Sequence, residues 1–303
     1  MLNSFLKRLT YIFIFNFLFG QFSLKSIEGK KTTLQFIQEN VIYDSIGDYT
    51  KLTHPKSGTT ADYGRPELPL FSSLIQIKSD KEYSVDYKVL SSHVISDIKI
   101  FPFQNKDKTE ERGVINFSDT AFYNNDDVYP KNMLEVSERL IMRDLNLLNI
   151  SVIPYRYNPY QNTLEIIDEI EIYVTESGER IDEGFGQRLP SQIFDNLYST
   201  LIVNYDDTRN TQFQNPSILY ICGGNSVNHP SFQQLIEWRH QRGYVVYTAS
   251  LSQTGTSSSA IKNYIQNAYY NFDPPPEYIA FVGDVGGTYS VPTFYESWGH
   301  NDY

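Results

Sequence analysis

Ile218-Leu219-Tyr220-Ile221-Cys222, Pro230 to Arg242, Tyr244 to Ala249, Ser257 to Asn271 and Tyr278-Ile279-Ala280-Phe281-Val282-Gly283 follow one another in the last third of the chain. The first, third and fifth are short apolar runs, whereas the second and fourth carry apolar residues at helical spacing. Strand, helix, strand, helix, strand is half of a doubly wound α/β domain. Pro230 stands at a first helical position, where its missing N–H costs nothing. Phe232, Leu235 and Ile236 then line one face, and Gly243 ends the helix. Ser257, Ser258 and Ser259 supply N-cap side chains for the second helix, whose Ile261, Tyr264, Ile265, Ala268 and Tyr269 repeat at i, i+3, i+4. Pro274-Pro275-Pro276 forbids its continuation. The unbroken apolar run Tyr278 to Val282 predicts a parallel strand covered on both faces. Gly283-Asp284-Val285-Gly286-Gly287 turns the chain at that strand's carboxyl end, where open α/β sheets place their sites.

Upstream the grammar changes. Tyr83, Val85, Tyr87 and Val89 alternate with Ser84, Asp86 and Lys88; Leu148, Ile150 and Val152 alternate with Asn149 and Ser151; Ile170, Ile172 and Val174 alternate with Glu171 and Tyr173. Period two marks strands with one buried face. The turn formers Lys56-Ser57-Gly58, Gln104-Asn105-Lys106-Asp107 and Asn158-Pro159-Tyr160-Gln161-Asn162 separate such runs. Short strands joined by polar turns predict an antiparallel sandwich. Composition agrees, with 24 Tyr and 19 Phe against 3 Met and 2 Trp, because aromatic and β-branched residues suit strands. Between the two regions, Gly184, Gly186, Pro190 and many polar residues break the alternation, which predicts a linker with one short helix near Gln192 to Tyr198. The expected organisation is a leader over 1–20, a β-rich domain over 21–178, a linker over 179–215 and an α/β domain over 216–303. A length of 303 residues suits two domains.

Lys7 and Arg8 precede the apolar run Tyr11 to Phe19 and then Gly20, the layout of a signal peptide cleaved near Gly20. The run is about half of the ~20 apolar residues that span a bilayer, so export without a membrane anchor is expected. One cysteine, Cys222, excludes an internal disulfide. The net charge of −11 argues against a nucleic-acid partner, which generally needs a basic face.

Trp238-Arg239-His240-Gln241-Arg242-Gly243-Tyr244 follows closely a W-[KR]-x-[QR]-[QK]-G-[YL] pattern, and Pro276 to Asp284 reads P-E-Y-[VIL]-x-x-V-G-D. These linked motifs resemble the opening of the gingipain family of cysteine peptidases. Gly64-Arg65-Pro66-Glu67-Leu68-Pro69 is similar to the G-x-P-x-[LI]-P signature of that family's propeptide. The resemblance implies a β-rich antiparallel, propeptide-like sandwich followed by the first half of a parallel α/β, caspase-like (gingipain-like) domain. It further implies a secreted or cell-surface precursor of a Gram-negative bacterium, contact between pro-region and peptidase domain within one chain, and peptide or protein substrates for the parent enzyme. The family's Cys/His dyad lies beyond the V-G-D strand, so no catalytic residue is assigned here and the chain by itself is expected to be inactive. No cofactor or metal is assigned to this chain; calcium is an ion the family admits. Arg180, Arg188 and Arg209 in the linker are candidate processing points.

Other conspicuous residues read as structural. Cys222 ends a buried strand, which suits a small apolar core residue better than a nucleophile. His229 and His240 stand at opposite ends of one helix and cannot pair at i, i+4 spacing. Asp284 suits a turn role, and His300-Asn301-Asp302-Tyr303 a solvated loop end. Gly223-Gly224-Asn225 and Gly283 to Gly287 match neither GxGxxG nor a phosphate loop with its Lys. Glu165, Asp168, Glu169 and Glu171 form an acidic stripe on one strand, read as a solvated face. Two functions of different classes fit this sequence: a secreted cysteine endopeptidase precursor, and a non-catalytic secreted adhesion or scaffold protein with a vestigial α/β domain.

Overall fold

The alternation of Ile170, Ile172 and Val174 builds the centre of the first unit. In the computed structural model, which describes residues 21–104, 117–181, 189–206 and 212–294, these side chains are buried to within 2% of full exclusion. They belong to β12 (Thr163–Glu179), the longest strand. It pairs antiparallel with β7 (Lys81–Ile95) along nearly its whole length, and with β11 (Tyr155–Asn158) and β2 (Lys31–Ile37) over successive parts; β1 (Phe22–Glu28) pairs β2. The second sheet holds β5 (Gly58–Thr59), β6 (Pro69–Ile77), β8 (Leu134–Val136), β9 (Leu140–Met142) and β10 (Leu145–Val152), again antiparallel. A hairpin of β3 (Ile42–Ile46) and β4 (Tyr49–Thr53) and a single helical turn, α1 (Thr120–Tyr123), complete the unit.

The two sheets share one core. Register sets Leu34 opposite Ile172 and Phe36 opposite Ile170, and these meet Phe71, Ile75, Ile150 and Val152 of the other sheet in one hydrophobic cluster. The Phe36 and Phe71 ring centroids are 5.4 Å apart. Buried tyrosines need partners for their hydroxyls, and they find them. Tyr155 Oη accepts from Gln38 Nε2 at 2.9 Å, and Tyr129 Oη donates to Asp62 Oδ2 at 3.0 Å. Burial, the largest influence, pushes the Tyr129 hydroxyl up to about 12. The Gly64 to Pro69 segment is an interior corner: Leu68 is fully buried, Glu67 meets Lys51 at 2.9 Å, and Thr60 Oγ1 donates to Pro66 O and accepts from Leu68 N.

On the outer face the acidic stripe is partnered. Glu171 pairs with Lys25 and accepts from Tyr173 Oη, Glu169 accepts from Gln35, and Asp168 faces His93 at 2.9 Å. Lys25 beside it, then Tyr173, holds the Glu171 carboxyl below the ordinary range.

The second unit is the α/β region. A parallel sheet runs β14 (Val245–Ser250), β13 (Ser217–Cys222), β15 (Tyr278–Val282). β13 is central and all six of its residues are buried. Its even positions, Ile218, Tyr220 and Cys222, pack with Phe232 and Ile236 of α3 (Pro230–Gln241). Its odd positions, Leu219 and Ile221, pack with Ile261, Tyr264, Ile265 and Ala268 of α5 (Ser258–Asn271). Ser257 caps α5 as expected, and His229 accepts from the first turn of α3. A four-residue helix, α4 (Leu251–Thr254), closed by a Ser250/Gln253 capping box, was not foreseen, because a single turn carries no period.

Two further readings change. The short linker helix is α2 (Gln192–Leu201), one turn longer than expected, and the chain does not divide at one point. Residues 189–200 fold with the α/β region, while Leu201–Tyr205 folds with the sandwich. Among the described residues β15 is covered on one face only: Tyr278, Ala280 and Val282 pack toward α3, but Ile279 is 37% and Phe281 56% exposed. The apolar run reported a strand; it did not report how many layers cover it.

Truncating Phe36 to Ala removes a ring from the shared core, and a loss of about 3–5 kcal/mol is expected. Denaturant unfolding of the whole chain, followed by far-UV circular dichroism, measures it; an unchanged midpoint would mean that the sheets do not pack through this residue.

Candidate functional site

In an open α/β sheet the carboxyl ends of the strands gather the backbone groups and loops that bind ligands. Here those ends are Cys222-Gly223-Gly224 after β13, Ser250 after β14 and Gly283-Asp284 after β15. The chain's own backbone occupies the crevice between β13 and β15. Asp284 N–H donates to Tyr289 O at 3.2 Å, Val291 N–H to Asp284 O at 2.7 Å, and Gly223 N–H to Val282 O at 3.0 Å. A Cβ on Gly223 would stand 2.2 Å from Tyr289 O, and one on Gly283 1.9 Å from the same oxygen. These glycines are small so that residues 287–291 can cross the strand ends. They do not cradle a phosphate.

The side chains at this edge hold the scaffold together. Ser226 Oγ donates to Val282 O at 3.1 Å. Asp284 Oδ1 accepts from Val285 N–H at 2.7 Å, the expected turn role. Cys222 is fully buried, and burial pushes its thiol above the ordinary range, with Ser226 opposing weakly. A thiol of this kind is a poor nucleophile. His229 is spent on capping α3, its Nδ1 accepting from Ser231 N–H at 3.3 Å, and His240 lies in that helix's last turn. Among the described residues no group of three or more His, Cys, Asp or Glu side chains is arranged to hold a metal.

Of the candidate processing points, Arg180 is described. It follows β12 directly; its N–H donates to Asp80 O at 2.8 Å and its guanidinium lies 4.0 Å from Glu82. Gly20, Arg188, Arg209 and His300 to Tyr303 lie outside the described residues. Sequence reading missed a concavity of about 470 Å³ in the sandwich, lined by Glu82, Tyr83, Val85, Arg139 and Arg180 among others. Its central cation is already engaged, since Arg139 donates to Lys78 O at 2.9 Å, to Asn146 Oδ1 at 3.2 Å and to Lys81 O.

Iodoacetamide should label Cys222 roughly 100-fold more slowly in the native chain than in denaturant at pH 8. Burial from the reagent protects the thiol at any pH at which the fold holds; the raised pKa adds a further part that is full below the ordinary thiol pKa and fades as pH climbs through the folded value. Equal rates in both states would place the thiol in solvent. Gly223→Ala, with no room at Tyr289 O, should cost about 1–3 kcal/mol, read from the shift in the unfolding midpoint.

The sequence comparisons find two parts in the same order, with their boundary at residues 211–213. Residues 21–213 match the family description Propeptide_C25, and residues 211–303 match Peptidase family C25. Gingipain R2 of Porphyromonas gingivalis is 24% identical over 283 residues, covering 87% of this chain and 37% of the relative. Gingipain R1 of the same organism is 22% identical, covering 86% and 27%, and Lys-gingipain HG66 is 23% identical, covering 79% and 15%. The chain thus spans little more than a third of Gingipain R2 and less of the others. A solved chain from the complex of Porphyromonas gingivalis RgpB pro- and mature domains shares the fold, with a TM-score of 0.51 at 24% identity over 62% of this chain and 98% of that one. With the propeptide match alone spanning more than half of its length, and the peptidase match following in order, the chain belongs to the gingipain-type peptidases of family C25, as the amino-terminal portion of a precursor.

Proposed function

We propose that this chain supplies the pro-region and the opening of the catalytic scaffold of a secreted cysteine endopeptidase that acts on peptide or protein substrates. The observation that carries the reading is the order of parts: a propeptide match over the sandwich, then a peptidase match over a parallel α/β sheet. A signal peptide over residues 1–20 would export the precursor, and among the described residues no helix is long and apolar enough to cross a membrane. The sandwich would keep the peptidase latent until it is cut. The working thiolate and imidazole would come from parts of the parent precursor other than this chain, because Cys222 is buried with a raised pKa and both described helix-end histidines are engaged or distant from it in sequence.

A peptidase binds its substrate as an extended strand whose own backbone bonds are free. Arg180 does not satisfy this, since its N–H is already bonded to Asp80 O. The proposal therefore favours Arg188 and Arg209 over Arg180 as processing points.

Two measurements test the reading. Residues 21–303 should show no hydrolysis of fluorogenic peptides, while the product of a longer reading frame should hydrolyse them and lose that activity to a thiol alkylator. Thiol-sensitive turnover by 21–303, or its absence from the longer product, would overturn the proposal. Limited trypsin digestion should cut at Arg188 or Arg209 and spare Arg180, as read by intact mass; early cleavage at Arg180 would reverse the assignment.

A further inference from the structure

Residues 1–20 have the layout of a leader cut near Gly20, and the propeptide match begins at the next residue, Gln21. A glutamine that becomes the first residue of a chain carries its α-amine within reach of its own side-chain carboxamide. The two can close to a γ-lactam, pyroglutamate, without a further reagent. What surrounds residue 21 decides whether the fold suits such a cap.

Its main chain is already fixed. Gln21 O accepts from Ile37 N–H at 3.0 Å, and Phe22, the next residue, opens β1 with its ring centroid 5.0 Å from that of Phe36. The half-buried side chain turns to His54, with Gln21 Nε2 2.9 Å from His54 Nε2. His54 Nδ1 accepts from Lys56 N–H at 3.0 Å, so the proton of the neutral ring sits on Nε2. Burial, and then Lys56, lowers the His54 pKa, which favours that neutral ring. His54 Nε2 is therefore a donor, and what it requires from residue 21 is an acceptor. Gln21 has one to give, because its Oε1 is buried without another partner. With the carboxamide turned end for end, Oε1 accepts from His54 Nε2–H and both groups are satisfied. The amide nitrogen has little else to hold it, since Glu39 O is 3.4 Å away.

We propose that the mature chain begins at residue 21 as pyroglutamate, with the lactam carbonyl held by His54. In the step that forms it, the α-amine nitrogen of Gln21 attacks the side-chain carbonyl carbon. The bond from that carbon to Nε2 breaks, a proton passes from the amine to the departing nitrogen, and ammonia leaves. Nothing is oxidised or reduced. The lactam keeps the carbonyl acceptor that His54 needs and loses the amide nitrogen that it does not. It also removes the ammonium charge that cleavage would leave on a half-buried residue, where a charge is costly. The cap presupposes export and cleavage after Gly20, as proposed above, and the two can fail separately.

The test is mass spectrometry of the amino-terminal peptide of the full chain, purified from the cells that produce it. The expected peptide starts at residue 21, weighs one ammonia less than the encoded sequence and resists Edman degradation. Gln21→Ala should restore Edman reactivity. A peptide of full mass with a free amine at Gln21 would overturn the cap and leave the cleavage standing. A chain that keeps residues 1–20, or starts elsewhere, would overturn both. The role of His54 has its own readout: pyroglutamyl aminopeptidase should remove the cap roughly 10-fold faster from His54→Ala than from the unchanged chain, with circular dichroism confirming that both are folded. Equal rates would overturn the part assigned to His54.

Discussion

The α/β region depends on the complete burial of β13. A strand with six buried residues has no face to give to water, so both faces need a layer of helix. α3 meets the even positions and α5 the odd ones. Because β14 and β15 flank β13 on opposite sides, the two crossovers leave for opposite faces, and the carboxyl ends of β13 and β15 become the point where the topology splits. The crossing of residues 287–291 over Gly223 and Gly283 follows from that arrangement.

The sandwich meets the same demand differently. Its strands bury one face each, and the outer face of the first sheet carries the carboxylates of β12. Charges this exposed contribute little singly to stability. Their pairing with Lys25, Gln35, Tyr173 and His93 fixes register across β1, β2, β7 and β12 more than it adds strength. The wealth of tyrosine has a related logic. A buried ring supplies as much apolar area as a phenylalanine, but its hydroxyl must be matched, which ties Tyr155 to Gln38 and Tyr129 to Asp62.

Much of this was legible in the sequence, for physical reasons. Ile170, Ile172 and Val174 alternate because one face is dry; Pro230, Gly243 and Ser257 punctuate helices because their backbones and side chains permit little else. Cys222 read correctly as a core residue, since a thiol at the end of an apolar run has no charged neighbour to activate it. What escaped was whatever depends on long-range placement. Nothing local in Ile279 or Phe281 tells whether a layer covers them. Nothing in Gly223 says which backbone will cross it, and a helix such as α2 carries no mark of the unit it joins. The acidic stripe was visible as charge, but Lys25, Gln35, Ser92 and His93, which meet it, come from strands more than 70 residues away in sequence.

The bare face of β15 has a practical side. Among the described residues, β15 pairs only with β13, so its other edge offers unpaired N–H and C=O groups beside the exposed side chains of Ile279 and Phe281. Such an edge is adhesive toward other strands, and neither the acidic surface nor any lysine within Tyr278 to Val282 guards it. A charge placed on that edge, as in Phe281→Lys, would blunt its pairing with other strands.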